Sequence, residues 1–132
     1  MQRFRIEHIG YLTVNIGDTA KSFEMLGYKA GRTVDDDTQQ TRICFLHKEG
    51  EVNIELVEPY ESNRTMQKML VKQGVSPYHT CYEVDDIDEA YKLMMDSGWT
   101  ALFEPVASPA FNNRRICYFW KRDVGLIELV NK

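Results

Sequence analysis

Two stretches of the chain carry nearly the same alternation of apolar and polar positions. They read TRICFLHKEGEVNIELV at 41–57 and RRICYFWKRDVGLIELV at 114–130, and an offset of 73 gives eight identities over these seventeen positions. Chance at average composition would supply about one identity. The first parts of the two halves align at an offset of 71, which pairs His8 with His79. The pattern therefore indicates a tandem duplication with a two-residue insertion or deletion.

Each half predicts the element order βαβββ. A β-rich run comes first (EHIGYLTV; YHTCYEV), and a segment with apolar residues at helical spacing follows (DTAKSFEML; IDEAYKLMMDS). Gly27 and Gly98 come directly after these segments, where a helix can end. The remaining strands are a short one (YKAGRTV; WTALFEPV) and a pair joined by a tight connection (TRICFLHK and VNIELVEP; RRICYFWK and GLIELV).

The element order predicts an α+β fold. We expect one domain over residues 1–132, with module 1 at about 4–59, a linking helix at about 62–75 capped by Ser62 or Asn63, and module 2 at about 77–131. The two βαβββ modules are expected to form a curved mixed β-sheet with the helices on its outer face and a cleft on the other face. A linker of roughly 20 residues allows the modules to pair within one chain or across a dimer.

Composition and charge narrow the class of function. A formal net charge of −4 and a pI near 5.4 do not suit a surface that binds a phosphate backbone, so we expect no nucleic-acid partner. No apolar run approaches the roughly 20 residues that span a bilayer, and the N-terminal segment has no signal-peptide pattern. We therefore expect a cytoplasmic protein that does not enter membranes. Its three cysteines lie in strand-like runs and are expected to be reduced and buried.

Four polar residues occupy equivalent places in the two halves. In NIELV, Glu55 points to the face opposite Ile54 and Leu56, and Glu128 does the same in the second half. The apolar pairs suit the helix-covered face, so both glutamates are expected on the other face. His8 and His79 begin the first strands of their modules.

We therefore expect His8, Glu55, His79 and Glu128 to converge on one divalent metal ion. Two carboxylates that approach each other repel unless a cation lies between them. Two imidazoles and two carboxylates suit Ni, Co or Zn, and also Mn or Fe. A structural role for all four is the less favoured interpretation, since a repeat preserves its apolar positions without needing these. By contrast, Asp35, Asp36 and Asp37 form a consecutive run typical of a solvated turn.

The paired modules resemble the vicinal oxygen chelate superfamily, which includes glyoxalase I, methylmalonyl-CoA epimerase, extradiol dioxygenases and bleomycin-resistance proteins. The resemblance covers nearly the whole chain, and HIGYLTVNI, IELVEP, YHTCYEVDDIDEA and GLIELV look most like the branch of glyoxalase I and the epimerase. His8, Glu55, His79 and Glu128 fall where that branch has its metal ligands. A complete ligand set favours an enzyme over a metal-free antibiotic-binding protein.

The resemblance implies a metal-dependent lyase or isomerase that transfers a proton next to a thiohemiacetal or thioester through an enediolate. Glyoxalase I is the favoured activity because its short bacterial forms use His, Glu, His and Glu, and methylmalonyl-CoA epimerase is the alternative. Glu128 is expected to be the principal base, with Glu55 as its partner, and the symmetry of the repeat also allows the two glutamates to exchange these roles. Arg114, Arg115 and Arg42 are candidates for binding an anionic substrate tail. The expected partners are a thiol conjugate or acyl-CoA substrate and a second copy of the chain in a homodimer.

Overall fold

The structure is a computed structural model that describes residues 2–132. Within these residues the chain forms nine strands and three α-helices. The first half contains β1 (Phe4–Leu12), α1 (Ile16–Glu24), β2 (Lys29–Asp36), β3 (Thr41–His47) and β4 (Asn53–Pro59), and α2 (Arg64–Gln73) follows. The second half contains β5 (Ser76–Val84), α3 (Ile87–Asp96), β6 (Thr100–Ala101), β7 (Val106–Ser108), a 3-10 turn (Pro109–Phe111), β8 (Arg114–Lys121) and β9 (Gly125–Asn131). A mixed sheet with three helices confirms the α+β fold class.

The contacts between residues divide the chain into two compact units. The first unit is His8–Tyr78, and the second consists of residues 2–7 together with His79–Lys132. The first unit begins within β1 and ends within β5. The units therefore do not begin and end at the boundaries of the sequence repeat.

The strands follow the same plan in the two units. In the first, the strand order is β2-β3-β4-β1, with antiparallel pairs except for the parallel pair of β4 and β1. In the second, β5 is parallel to β9, β9 is antiparallel to β8, and β8 pairs with both β6 and β7. The predicted duplication is thus visible in the pairing of the strands.

Side chains at the ends of the helices explain where the helices begin and end. Asn15 and Asp86 accept hydrogen bonds from backbone N–H groups in the first turns of α1 and α3, which satisfies donors that have no partner within the helix. Asn63 caps α2 by accepting from the N–H of Met66 at 3.2 Å. The linking helix α2 therefore begins after Asn63, one of the two residues expected to cap it. After α1, Gly27 has a φ of +94°, a backbone conformation that glycine adopts without strain.

Helices α1 and α3 each pack against one face of their own unit. Ile54 and Leu56 of β4 are buried with Ile16 and Ala20 of α1. Ile127 and Leu129 of β9 are buried in the same way against α3. The predicted alternation is therefore correct, and it places Glu55 and Glu128 on the faces that the helices do not cover.

One predicted strand is interrupted. The segment WTALFEPV forms two short strands, because β6 ends at Ala101 and β7 begins at Val106, and residues 102–105 leave the ladder opposite Cys117 and Tyr118. Pro105 contributes to this break, since proline has no N–H to donate to a neighbouring strand. The first unit has a smaller irregularity at the equivalent place, where the register shifts between Ala30 and Thr33.

Candidate metal centre

The first unit contains a buried pair of His8 and Glu55. His8 lies on β1 and Glu55 on the parallel strand β4, where Glu55 is opposite Gly10. This stagger of two residues brings His8 Nε2 to 3.3 Å from Glu55 Oε1. The ring of Phe45 meets the His8 ring edge-on, with 5.4 Å between their centroids.

The second unit repeats this arrangement with His79 and Glu128. Glu128 lies on β9 opposite Cys81 of the parallel strand β5, which gives the same stagger. His79 Nε2 lies 3.0 Å from Glu128 Oε1. Tyr118 occupies the place of Phe45, and its ring meets the His79 ring edge-on at 5.3 Å. The two pairs are thus built from the same strands in the same register.

All four side chains are shielded from water. The exposed fraction is 0% for His8, 5% for His79, and 2% for each of Glu55 and Glu128. Burial of a carboxylate is costly unless hydrogen bonds and opposite charge compensate for the lost hydration. A histidine at 3.0–3.3 Å supplies one such contact to each carboxylate. The burial indicates that these glutamates have a role other than solubility.

The four residues meet a simple geometric test for a metal centre. One ligand atom from each of His8, Glu55, His79 and Glu128 lies within 4.8 Å of the others. Imidazole nitrogens and carboxylate oxygens at 2.0–2.2 Å from a shared cation are separated from one another by roughly 3 to 4.4 Å. The donor set of two nitrogens and two oxygens also suits a borderline divalent metal. The four residues therefore fit a metal ion, and the kind of metal stays open.

The three candidate arginines lie on different faces. Arg42 pairs with Glu58 at 3.1 Å and with Asp35 at 3.6 Å, and it shares a strand face with Cys44, which packs against α1. It also lines a cavity of about 770 Å³ in the first unit. Arg115 forms two hydrogen bonds with Asp88 of α3, at 2.7 and 3.1 Å. Arg42 and Arg115 therefore belong to the helix-covered faces, away from the glutamates.

Arg114 is placed differently. It shares a strand face with Tyr118, which lies directly opposite Glu128. Its guanidinium donates to Glu83 at 3.2 Å and lies 5.2 Å from the centre of the Phe111 ring. Of the three candidate arginines, Arg114 is the one on the face that carries the His79–Glu128 pair.

Asp36 is a buried carboxyl that the sequence interpretation missed. The expected solvated turn is wrong at this residue, because Asp36 is the last residue of β2 and only 2% exposed. It accepts a hydrogen bond from the N–H of Gln39 at 3.0 Å. Burial raises the pKa of the Asp36 carboxyl, and the charge of Glu55 raises it further. The signal in the sequence was strand alternation, because Asp36 shares a face with the half-buried Val34 and opposes Thr41.

The cysteines behave as the sequence predicts. Cys44, Cys81 and Cys117 are free and buried. Burial raises the pKa of the Cys117 thiol to about 12, and the nearby charge of Glu128 acts in the same direction. The thiol of Cys117 is therefore not a nucleophile near neutral pH.

In residues 2–132, no helix has both the length and the apolar character needed to cross a membrane.

Comparison with known proteins identifies relatives. Over 130 residues the chain is 24% identical to the uncharacterized protein YqjC of Bacillus subtilis, covering 95% of this chain and 90% of the relative. The structure resembles methylmalonyl-CoA epimerase from Mycobacterium tuberculosis, with a TM-score of 0.85, 23% identity, and coverage of 96% and 87% of the two chains.

A second similar structure is a Streptomyces coelicolor methylmalonyl-CoA epimerase variant in complex with 2-nitronate-propionyl-CoA. Its TM-score is 0.84, its identity 24%, and the match covers 97% of this chain and 96% of the other. At these identities the likeness shows a shared fold. A family model, described as the Glyoxalase/Bleomycin resistance protein/Dioxygenase superfamily, matches residues 7–118. The chain therefore belongs to the glyoxalase/bleomycin resistance/dioxygenase superfamily, as its doubled modules and doubled His–Glu pairs predicted.

Proposed function

We propose that the chain is a metal-dependent isomerase that moves a proton on the carbon next to a thioester, with an acyl-CoA of the methylmalonyl-CoA type as its substrate. The observation that carries this proposal is the repeated, buried His–Glu pair, with one imidazole and one carboxylate from each unit. A binding protein does not need two buried carboxylates, because their desolvation costs free energy that reduces stability. A proton-transfer enzyme can use carboxylates near the reacting carbon as its bases.

The roles of the four residues follow from their chemistry. His8 and His79 would hold a divalent ion together with the two glutamates, and such an ion would stabilise negative charge on substrate oxygens. Glu128 is the proposed principal base, which takes the proton from the carbon next to the thioester. Glu55 is its partner, and it returns a proton to the opposite face of the same carbon. The net result is inversion of that carbon with no change in oxidation state.

The relatives change the order of the two candidate activities. The sequence favoured glyoxalase I, but the two similar structures named above are epimerases, and one of them is bound to 2-nitronate-propionyl-CoA. This supports an acyl-CoA substrate for the present chain. Glyoxalase I stays the second candidate because Glu55 completes the His, Glu, His, Glu set that its short bacterial forms use, whereas many epimerases have Gln at this position.

Arg114 is the proposed contact for an anionic group of the substrate. It lies on the same strand face as Tyr118, whereas Arg42 and Arg115 pair with acids on the helix-covered faces. Of the three candidate arginines, the proposal therefore retains Arg114.

Solvent-hydrogen exchange tests the proposal directly. The protein is loaded with cobalt, nickel or zinc, and incorporation of deuterium from D₂O into methylmalonyl-CoA is followed by mass spectrometry. Metal-dependent exchange is expected, and it would be lost on treatment with a chelator. Formation of lactoylglutathione from glutathione and methylglyoxal, without such exchange, would instead establish glyoxalase I. A chain that binds no metal and binds an antibiotic tightly would contradict both activities.

A further inference from the structure

The interruption of the sheet at residues 102–105 brings an aromatic side chain to the neighbourhood of His79. The N–H of Leu102 donates to the carbonyl of Tyr118 at 2.9 Å, which fixes the start of the interruption. The ring of Phe103 then packs against the Tyr118 ring, with centroids 5.8 Å apart and an interplanar angle of 48°. Tyr118 in turn meets His79 edge-on and lies opposite Glu128. Phe103 is thus connected to the His79–Glu128 pair through a single ring, that of Tyr118.

Phe103 keeps part of its surface open. It is neither fully buried nor fully exposed, whereas its neighbour Leu102 is 52% exposed and Ala101 packs against the helix-side core. A half-buried aromatic ring next to a polar centre offers an apolar wall that a ligand can contact.

The repeat shows that the fold does not require an aromatic residue here. The register shift in the first unit follows Ala30, the equivalent of Ala101, and the residue equivalent to Phe103 is Arg32. Arg32 is exposed. The first unit thus builds the equivalent part of its sheet, with only a register shift, around an exposed charged residue. The strand plan that the two units share therefore does not require an aromatic ring at this place.

We propose that Phe103 determines specificity by limiting the size of the alkyl substituent on the carbon that loses its proton. This inference rests on the proposed function and deepens it, because it places the alkyl substituent of the acyl-CoA next to Phe103. On this proposal, the ring leaves room for a methyl group and excludes a longer alkyl group. Replacing the ring with a methyl side chain makes room for the longer group.

The test compares two substrates in three proteins. Deuterium exchange of methylmalonyl-CoA and ethylmalonyl-CoA is measured for the wild type, for Phe103→Ala and for the control Leu102→Ala, all loaded with cobalt. In Phe103→Ala, the ratio of kcat/KM for the ethyl over the methyl substrate is expected to rise about tenfold or more, because a methylene group in an apolar pocket changes discrimination by roughly 10- to 200-fold. Leu102→Ala is expected to leave the ratio within about twofold of the wild type.

Several outcomes would overturn the inference. An unchanged ratio in an active Phe103→Ala protein contradicts the role of Phe103 and leaves the proposed function standing. An equal change in Leu102→Ala also contradicts it, because the effect would not come from the ring. Absence of exchange in the wild type with either substrate overturns the proposed function, and the specificity role with it. If Phe103→Ala does not fold, Phe103→Leu removes the ring with less loss of volume, and the same ratio decides.

Discussion

Glu58 accepts a hydrogen bond from the backbone N–H of Ile16, with 2.9 Å between Oε1 and N. The bond joins the end of β4 to the first turn of α1. Asn131 makes the equivalent bond in the second unit, where its side-chain oxygen accepts from the N–H of Ile87 at 2.8 Å. In each unit, the strand that carries the glutamate of the candidate metal centre is thus tied to the start of its helix.

Glu58→Ala is expected to lower the free energy of unfolding by about 1–2 kcal/mol, since it removes a partner of a helix N-terminal N–H and the ion pair with Arg42. Urea denaturation measures the difference. Glu61→Ala removes the same charge from an exposed position and is expected to change stability by less than about 0.5 kcal/mol. Equal effects of the two variants would show that the bond to Ile16 contributes nothing.

Removal of either buried histidine is expected to weaken metal binding. His8→Ala and His79→Ala each delete one ligand of the candidate centre, so the dissociation constant for zinc or cobalt should rise at least about a hundredfold. Calorimetry with the metal-free protein gives the constants. His47→Ala is the matched control, because His47 is the third histidine, is exposed and contacts Asn53. A loss of affinity as large in this control would argue against the assigned ligands.

Glu128→Gln is expected to keep the fold and to lose turnover by about a hundredfold or more, because the amide cannot accept the substrate proton. Circular dichroism checks the fold, and the exchange rate of methylmalonyl-CoA checks turnover. Glu24→Gln makes the same change at an exposed position of α1 and should leave the rate unchanged. Undiminished exchange in Glu128→Gln would refute its role as the base.

Asp36→Asn is expected to stabilise the protein increasingly as the pH rises. The folded-state pKa of Asp36 lies above its ordinary value of 3.8. Stability from this group is therefore present below that value and is lost as the pH rises through the folded pKa. The advantage of Asp36→Asn over the wild type should therefore grow as the pH rises above about 4. Urea denaturation at several pH values measures it, with the exposed Asp96→Asn as a control that should show no such trend.

The cysteines are expected to be unreactive in the folded protein. Cys117 has a pKa of about 12, and Cys44, Cys81 and Cys117 are at most 2% exposed, so a thiol reagent near pH 8 should meet almost no accessible thiolate. Ellman's reagent should report three thiols after denaturation and almost none before. Rapid reaction of one thiol in the native protein would show an opening that the structure does not contain.

The repeat is the reason that much of the site could be predicted from the sequence. Two aligned copies fixed the strand alternation around Glu55 and Glu128, and alternation alone gave the face on which each lies. The equivalence of His8 and His79 then completed the set. From a single copy of the module, an ordinary surface role would have been the simpler explanation for each of these residues.

Other features depend on information that the pattern does not carry. Asp36 lies in a run of three aspartates, and its burial depends on tertiary packing around Val34 and Thr41 rather than on local preference. The break after Ala101 was also missed. The apolar residues of WTALFEPV indicate a continuous strand, whereas Pro105 indicates an interruption, and the pattern does not show which of the two prevails. The faces of Arg42 and Arg115 could have been predicted. Each lies two residues before a cysteine on the helix side, and residues two apart on a strand share a face.

The boundary between the compact units has a consequence for how the chain could be divided. Residues 2–7 are encoded in the first copy but make their contacts with the unit that contains the second. The first repeat on its own would keep the pairing of β1 with β4. It would leave the guanidinium groups of Arg3 and Arg5 without the carboxylates of Glu83 and Asp85, with which they pair in the whole chain.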